Sequence, residues 1–222
     1  MTKHLQRDLD DVKRELLAMG GTVEEATSRA VRSLLERRVD LAEEVIGGDE
    51  EIDEREVRIE GDCLKILALH QPVATDLRFV VSVMKVNNDL ERMGDLAVNV
   101  AERSAYLATH PGIGIRLEFS AMAEKVRSMV RGALDALVAL DCDLAREVIG
   151  ADNEVDAMNR EMFEVLQDLM MRDSSSIKRA VHALSVSRHL ERIADLATNI
   201  AEDVVFLVEG EVIRHQSEDY RN

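Results

Sequence analysis

The chain has 222 residues, of which 46% are hydrophobic, enough apolar material for one large domain or two of ordinary size. Aromatic residues make up only 3%, with no Trp and two Pro, a composition typical of long packed helices. The formal net charge of −16 repels nucleic-acid phosphates. We therefore expect no nucleic-acid partner, and cations and basic protein surfaces are the favoured ligands.

Neither membrane insertion nor secretion is indicated by the sequence. No apolar run approaches the roughly 20 residues of a membrane span, and the N-terminal segment lacks the apolar stretch of a signal peptide. Cys63 and Cys142 form no CxxC or paired framework, so we interpret them as buried or idle thiols in a reducing compartment. These features predict a soluble, cytoplasmic protein.

The first two predicted helices fill the N-terminal third of the chain. The first extends to about residue 38, with apolar residues at alternating spacings of four and three, and Gly20 and Gly21 are expected to bend it. The second runs from about Asp40, its expected N-cap, to about Leu69. The pair Gly47–Gly48 is expected to interrupt it.

The third helix is predicted over residues 76–108. Pro72 ends the preceding helix, and Thr75 or Asp76 is expected to cap the new one. The segment THPGIGI, at residues 109–115, is the strongest break in the chain and lies midway along it. We therefore expect a repeat boundary there.

The second half of the chain repeats the sequence of the first. DLAEEVIGGDEEID at Asp40–Asp53 returns as DLAREVIGADNEVD at Asp143–Asp156, 103 residues later. LERMGDLAVNVAERSAYL at Leu90–Leu107 returns as LERIADLATNIAEDVVFL at Leu190–Leu207, 100 residues later. The connection inside the second copy, RDSSS, is therefore three residues shorter, a change that a turn between helices tolerates.

This repeat predicts the architecture and its divisions. The fold class is all-α, with six long helices arranged as two tandem, pseudo-symmetric three-helix bundles. The first three-helix repeat is placed at residues 1–110 and the second at 111–210. Residues 211–222 are expected to be a polar C-terminal tail.

Both copies carry acidic residues four positions apart, which places the two carboxylates on one face of a helix. In a hairpin that turns near Val73, Asp49 and Asp53 lie at the heights of residues 97 and 93, close to Asp95. A turn near Ser174 has the same effect in the second half. The acids predicted to form two clusters are Asp49, Asp53, Glu91, Asp95, Asp152, Asp156, Glu191 and Asp195.

Clustered carboxylates must protonate, recruit Lys or Arg, or bind metal. A set of oxygen ligands without Cys suits hard ions, so we predict two multi-carboxylate sites for divalent or trivalent metal ions, namely Fe, Mn, Mg or Zn. An ion-pair network that includes Arg92 and Arg192 is the main competing interpretation. Further candidate ligands on the same helix faces are Asn99, Glu102, Asn199 and Glu202.

The repeated segments resemble those of the PhoU family. The likeness rests on the twin LER(M/I)xDLAxN(V/I)AE segments at Leu90–Glu102 and Leu190–Glu202, on the DxxxD acids that follow DLAxEVI, and on the duplicated layout. It covers nearly the whole chain. The resemblance implies a six-helix protein, often dimeric, that binds metal ions through paired E/DxxxD motifs, here the eight acids named above.

The resemblance also implies a regulatory role. Family members act at the cytoplasmic face of the membrane, where they link the phosphate ABC transporter to the sensor histidine kinase of the phosphate regulon and restrain both when phosphate is plentiful. We therefore expect a non-enzymatic adaptor whose partners are the transporter ATPase and the kinase. It is expected to be a homodimer that is peripheral to the membrane only through these partners.

Two other functions are consistent with a helical bundle. A di-iron carboxylate redox protein also uses bundled helices, but no Glu here has His three residues later, as such sites require. A metal-free structural bundle would use the acids for solubility alone. The sequence contains no paired nucleophile and base, phosphate-binding glycine loop or nucleotide fingerprint, which favours the adaptor.

Overall fold

A computed structural model describes residues 3–210 of the chain as six long helices and one short 3₁₀ turn, with no strand among them. The helices are α1 Lys3–Glu36, α2 Val39–His70, α3 Ala74–Ala108, α4 Phe119–Ala139, α5 Cys142–Arg172 and α6 Ile177–Glu209. The 3₁₀ turn, Ser174–Ser176, connects α5 to α6. The predicted all-α class is confirmed, and the predicted tail at 211–222 lies outside the described residues.

The six helices form two three-helix bundles that share one core. In the first half α1, α2 and α3 pack on one another, and in the second half α4, α5 and α6 do the same. The halves meet where α3 packs on α6 and α1 packs on α4. Matched apolar residues fill both bundles: Met19 and Met122 are fully buried, as are Leu90 and Leu190. Burial of each such side chain contributes about 1.5–3 kcal/mol to the stability of the fold.

Helices α3 and α6 run antiparallel along their whole length. Near one end a Cβ on Gly210 would lie 3.3 Å from Arg78 Nη1, and further along Lys85 Nζ is 3.1 Å from Asp203 Oδ1. At the other end the rings of Tyr106 and His182 stack with their centroids 3.7 Å apart. Early residues of α3 thus meet late residues of α6, which relates the two halves by a pseudo-two-fold axis between these helices.

The first helix of each half ends in the same backbone conformation. Arg37 follows α1 with φ 54°, and Leu140 follows α4 with φ 55°, at positions 103 residues apart. Helices often end at a residue in the left-handed conformation, although this conformation costs a residue other than Gly about 1–2 kcal/mol. The repeat therefore extends to the geometry of the turns.

The helix caps differ from the expected ones. Helix α2 begins at Val39 after Arg38, which makes no side-chain capping bond, so Asp40 lies inside the first turn and accepts from Arg38 Nε at 3.1 Å. The equivalent position in the second half is Asp141, which does cap α5 by accepting from Asp143 N at 3.0 Å. The cap position was therefore predicted two residues too late in the first half.

The cap expected at Thr75 or Asp76 is also wrong. Helix α3 begins at Ala74 with Val73 as its N-cap, and Val73 makes no side-chain capping bond. Gln71 ends α2 in the left-handed conformation, so the chain reverses over three residues and enters α3 before the side chains that could cap it.

The glycines expected to bend or interrupt α1 and α2 lie inside unbroken helices. Gly20 is buried because Leu134 of α4 packs directly against it, and a Cβ there would lie 2.3 Å from Leu134 Cδ1. A Cβ on Gly47 or Gly48 would meet nothing within 4 Å. Tertiary packing of each long helix outweighs the roughly 1 kcal/mol that each glycine costs. None of the helices within residues 3–210 is long and apolar enough to cross a membrane.

Candidate metal centres

The register of the α2–α3 hairpin is fixed by a close approach at Gly94. A Cβ on Gly94 would lie 3.0 Å from Ile52 Cδ1 and 3.5 Å from Asp49 Oδ1. Ile52 and Gly94 lie 21 residues before and after Val73, so the contact has the register expected for a turn there. Because Gly94 has no side chain, α3 comes close to α2 beside Asp49.

Both hairpins carry an equivalent polar link near the clusters. Asn87 Nδ2 donates to the Glu56 carbonyl oxygen at 2.9 Å between α3 and α2. At the matching positions, Ser187 Oγ donates to Asn159 Oδ1 at 2.6 Å between α6 and α5. Asn87 and Ser187 are buried, so these bonds satisfy polar groups in the core while holding the two helices in register.

The four acids predicted in the first half act electrostatically on one another. Burial raises the pKa of Asp49, and the charges of Asp53 and Asp95 raise it further. Burial likewise raises the pKa of Glu91, followed by the charges of Asp95 and Asp53. Asp49 and Glu91 are half-buried, whereas Asp53 and Asp95 are exposed. The structure therefore brings all four carboxylates into one repulsive group.

Glu56 belongs to the same group and was missed. Burial raises the pKa of Glu56, and the charges of Glu60 and Asp53 add to the rise. Its own charge contributes to the raised pKa of Glu91. The sequence spacing could have identified it, because Glu56 follows Asp53 by three residues and therefore lies on the same face of the helix. Asn159 occupies the equivalent position in the second half, so the two clusters differ in charge.

The acids of the second half form a similar group with more countercharge. Burial raises the pKa of Glu191, followed by the charges of Asp195 and Asp156, while Arg188 opposes the rise. Burial and then Asp156 raise the pKa of Asp195, and Arg192 opposes that rise. Asp152 is buried, and its charge also raises the pKa of Glu191. The ion-pair interpretation therefore has more support in this cluster than in the first.

Neither cluster forms a finished coordination shell. Within residues 3–210, no three acidic, His or Cys side chains stand in positions to hold one metal ion together. The acids nevertheless fit a hard cation, because they offer only oxygen ligands and Asp49 Oδ1 is buried without a hydrogen-bond partner. Binding would require carboxylates such as Asp53 and Asp95 to rotate towards Asp49. The metal ligands therefore remain predictions.

The outer acids of both clusters open onto one polar cleft between α3 and α6, which the sequence did not suggest. The cleft has a volume of about 660 Å³ and lies on the pseudo-two-fold axis. Its charged and amide side chains come in matched pairs with one addition: Arg92 and Arg192, Asp95 and Asp195, Asn99 and Asn199, and Asp152. Of the additional candidate ligands, only the two Asn side chains line it.

The remaining candidates lie further along the helices. Asn99 uses its amide to donate to the Asp95 carbonyl oxygen at 2.8 Å, so its side chain is engaged with its own helix. Glu102 is exposed, and one of its carboxylate oxygens is 3.9 Å from Arg103 Nη2. Glu202, its equivalent, is half-buried. The compact part of each cluster is therefore the set of four predicted acids, joined in the first half by Glu56.

Comparison with known sequences identifies a duplicated domain. The PhoU domain model matches the chain twice, at residues 16–104 and 119–204. The chain is 41% identical to the phosphate-specific transport system accessory protein PhoU homolog of Aquifex aeolicus, over 96% of each protein. It is 39% identical to the homolog of the same name from Pseudomonas aeruginosa, over 97% of this chain and 91% of that protein.

Solved structures with the same fold extend this likeness. The crystal structure of PhoU from Pseudomonas aeruginosa matches with a TM-score of 0.90 and 39% identity, over 93% of this chain and 99% of that one. The phosphate transport system regulatory protein PhoU from Streptococcus pneumoniae matches with a TM-score of 0.87 and 30% identity, over 94% and 98%. The chain therefore belongs to the PhoU family.

Proposed function

We propose that this protein is an accessory regulator of a phosphate transport system and has no catalytic activity of its own. The observation that carries the proposal is its likeness, over nearly the full length of both chains, to proteins named as phosphate-specific transport system accessory proteins. The shared fold, with a TM-score of 0.90, supports it. On this proposal the protein acts in the cytoplasm as a homodimer and restrains phosphate uptake and phosphate-starvation signalling when phosphate is plentiful.

The proposed partners are the phosphate ABC transporter ATPase and the sensor histidine kinase of the phosphate regulon. Exposed apolar side chains at the two hairpin turns offer surface for such contacts. At the α2–α3 turn these are Leu69, Val73 and Leu77, and at the α5–α6 turn they are Met171, Ile177 and Val181. Any attachment to the membrane is proposed to pass through these partners.

Co-purification tests this role directly. Tagged protein isolated from phosphate-replete cells should enrich the transporter ATPase and the sensor kinase over an untagged control, as quantified by mass spectrometry. A strain that lacks the protein should express phosphate-starvation genes even when phosphate is abundant. If neither partner is enriched and the reporter of starvation is unchanged, the proposed function is wrong.

We further propose that the two acidic clusters bind divalent or trivalent metal ions, with the identity among Fe, Mn, Mg and Zn open to measurement. Support comes from the oxygen-only ligands and from the raised pKa values of Asp49, Glu91, Glu191 and Asp195, whose first cause is burial. A bound ion would neutralise carboxylates that repel one another. In each half the acids of both helices would then hold the hairpin together.

Substitution of one acid in each cluster tests metal binding. Asp95→Asn with Asp195→Asn should lower the bound metal measured by mass spectrometry, and should remove the rise in melting temperature that metal gives to chelator-treated protein. Glu161→Gln with Glu164→Gln, at two exposed acids of α5 outside the clusters, removes the same number of charges and is the matched control. Equal metal content and equal melting temperatures in both variants would contradict metal binding by the clusters. The acids would then serve only to keep the protein soluble.

A further inference from the structure

The two ends of the α3–α6 pair differ in charge, although the repeat makes their positions equivalent. Arg103 and His189 lie at one end, where burial and then the charge of Arg103 lower the pKa of His189. The equivalent positions at the other end hold Asp203 and Asp89, both buried. At the first end Arg103 is the cation that makes these positions basic, whereas Lys85 and Arg92 pair with the two Asp residues at the other end. This basic end stands out in a chain whose formal net charge is −16.

The basic end extends around the start of α6 and the end of α3. We call it the basic corner, and its members are Arg37, Arg103, His110, Lys178, Arg179 and His182. At its centre the Tyr106 ring is stacked between His110, with centroids 3.9 Å apart, and His182, with centroids 3.7 Å apart. Lys178 Nζ lies 5.1 Å from the centroid of the same ring. The packed rings thereby hold the Lys178 ammonium beside them, while His182, whose pKa burial lowers, contributes a neutral ring.

Two of the arginines are held by carbonyl groups, which fix a guanidinium without cancelling its charge. Arg37 Nη2 donates to the Ala108 carbonyl oxygen at 3.0 Å and also to that of His110. Arg179 Nη1 donates to the carbonyl oxygens of Pro111 at 3.1 Å and Gly112 at 2.9 Å. These bonds also tie the connection between the two halves to α1 and α6.

Carboxylates are sparse around the basic corner. Within residues 3–210, none comes within 4.0 Å of a nitrogen of Arg37, Lys178 or Arg179, and Arg103 reaches only Glu102, at 3.9 Å. Burial lowers the pKa of His182, and the charges of Arg103, Lys178 and His110 lower it further, so His182 sits in a positive field. Hydrogen bonds from Ser175 and then the charge of Arg179 lower the pKa of the Asp173 carboxyl, so Arg179 is partly compensated. Within residues 3–210, the charges of Arg37, Lys178 and Arg103 are left largely uncompensated.

Apolar surface adjoins these charges on α6. Ile177 and Val181 are 44% and 48% exposed, and their spacing of four residues places them side by side on the helix, next to Lys178. Exposed apolar residues flanked by uncompensated charge are typical of a surface that another protein covers.

We propose that the basic corner is a docking surface for an acidic segment of a partner protein. Carboxylates of that segment would meet Lys178, Arg103 and Arg179, and its apolar side chains would cover Ile177 and Val181. This inference rests on the proposed adaptor function and names the surface that serves it. A short acidic segment would contact only the corner, where the protein is positive. An anionic membrane is an extended negative surface, so it would also repel the acidic remainder of the protein.

A labelled peptide tests the docking surface. The probe is a 14-residue peptide in which Glu alternates with Leu and Ala, and its binding to the full chain is followed by fluorescence anisotropy at 50 mM and 300 mM salt. We expect the affinity to decrease as salt increases. The affinity should also be about tenfold lower in the variant with Arg103→Ala and Lys178→Ala, because each exposed ion pair contributes modestly and the variant lacks two of them. Lys178→Glu alone, at an exposed side chain, should also weaken binding if the double variant is unstable.

The matched control removes two other positive charges. The variant with Arg58→Ala and Lys65→Ala changes exposed residues of α2 and has the same net charge as the corner double variant. It should bind the peptide as the wild type does. Absence of binding by the wild type at 50 mM salt, or equal losses in the two double variants, would overturn the proposal. Vesicles of anionic phospholipid that bind only through the corner, while the peptide does not, would overturn it in favour of a membrane.

Co-purification with the corner variants separates this inference from the proposed function. If the wild type captures the transporter ATPase and the kinase while the corner double variant captures neither or only one, both proposals are supported. If the corner variant captures both as efficiently as the wild type, the adaptor function stands and the docking surface is wrong. If the wild type captures neither but the peptide results hold, the surface stands and the adaptor function fails.

Discussion

Gly94 shows how much depends on a single missing side chain. It is the residue through which α3 approaches α2 beside Asp49, and a Cβ at this position would lie 3.0 and 3.2 Å from two atoms of Ile52. Those atoms are buried in the core and have little room to move.

We expect Gly94→Ala to lower the free energy of unfolding by about 1–2 kcal/mol, because overpacking forces the two helices apart. Gly61→Ala is the control, since Gly61 lies within α2 and a Cβ there meets nothing within 4 Å. That variant should gain about 0.5–1 kcal/mol from the higher helix propensity of Ala. Urea unfolding measures both, and a gain in stability at Gly94 would contradict the geometry.

The left-handed residue that ends α4 offers the opposite experiment. Leu140 has φ 55° and is 45% exposed, so its backbone is strained while its side chain makes limited contact with the core. We expect Leu140→Gly to raise the free energy of unfolding by about 0.5–1 kcal/mol, because glycine adopts this conformation without a steric penalty. Ala139→Gly, one residue earlier and inside the helix, should lower it by about 1 kcal/mol. Destabilisation by both substitutions would show that packing of Leu140 outweighs its strain.

At the scale of helices, the hairpins combine a well-packed inner face with a row of repelling carboxylates. The folded protein holds protons more tightly than the unfolded chain at Asp49, Glu91, Glu191 and Asp195, because burial and neighbouring acids raise their pKa values. A raised folded pKa contributes stability at low pH that is lost as pH rises from the ordinary value, 3.8 for Asp or 4.5 for Glu, through the folded pKa.

We therefore expect these four acids to destabilise chelator-treated protein as pH rises from 5 to 7. Burial lowers the pKa values of His182 and His189, which act in the opposite direction over this range, so the acids are isolated by comparison with a variant. In urea unfolding at pH 5 and pH 7, the variant with Glu91→Gln and Glu191→Gln should gain stability relative to the wild type as pH rises, since neither amide titrates. Carboxylates such as Asp8 and Asp173, whose pKa values hydrogen bonds lower, act in the opposite direction and mainly below pH 4. An equal pH dependence of stability in the wild type and the variant would contradict the raised pKa values of the two Glu residues.

The sequence was sufficient for the helices and for the heights of the acids, but not for the caps or the cleft. Apolar periodicity and Pro72 placed helix ends to within about two residues, and counting from Val73 placed Asp49 near Asp95. The cap at position 38 was missed because Arg38 has no capping side chain, whereas its equivalent Asp141 does. The cleft depends on how α3 packs against α6. The spacing of residues within one half does not show how that half contacts the other.

At the scale of the whole molecule, the two halves share a core and so should unfold together. Helices α3 and α6 pack along their lengths, and the ion pair between Lys85 and the buried Asp203 crosses their interface. We expect one calorimetric transition for the full chain. Lys85→Ala should lower the free energy of unfolding by about 1–2 kcal/mol, since it leaves a buried carboxylate without this cation. Two separate transitions in either protein would show that the halves are independent.

Residues from the beginning and the end of the described chain meet at the same pole of the bundle. His70 Nε2 is 2.9 Å from Asp8 Oδ2, while Gly210 lies beside Arg78, so the start of α1 and the end of α6 both flank the turn between α2 and α3. The connection at residues 109–118 lies at the opposite pole, next to the stacked rings. A circular permutant that joins the old termini through a flexible linker and opens at Gly112 should therefore fold into the same six-helix assembly, with its halves in reversed order along the chain.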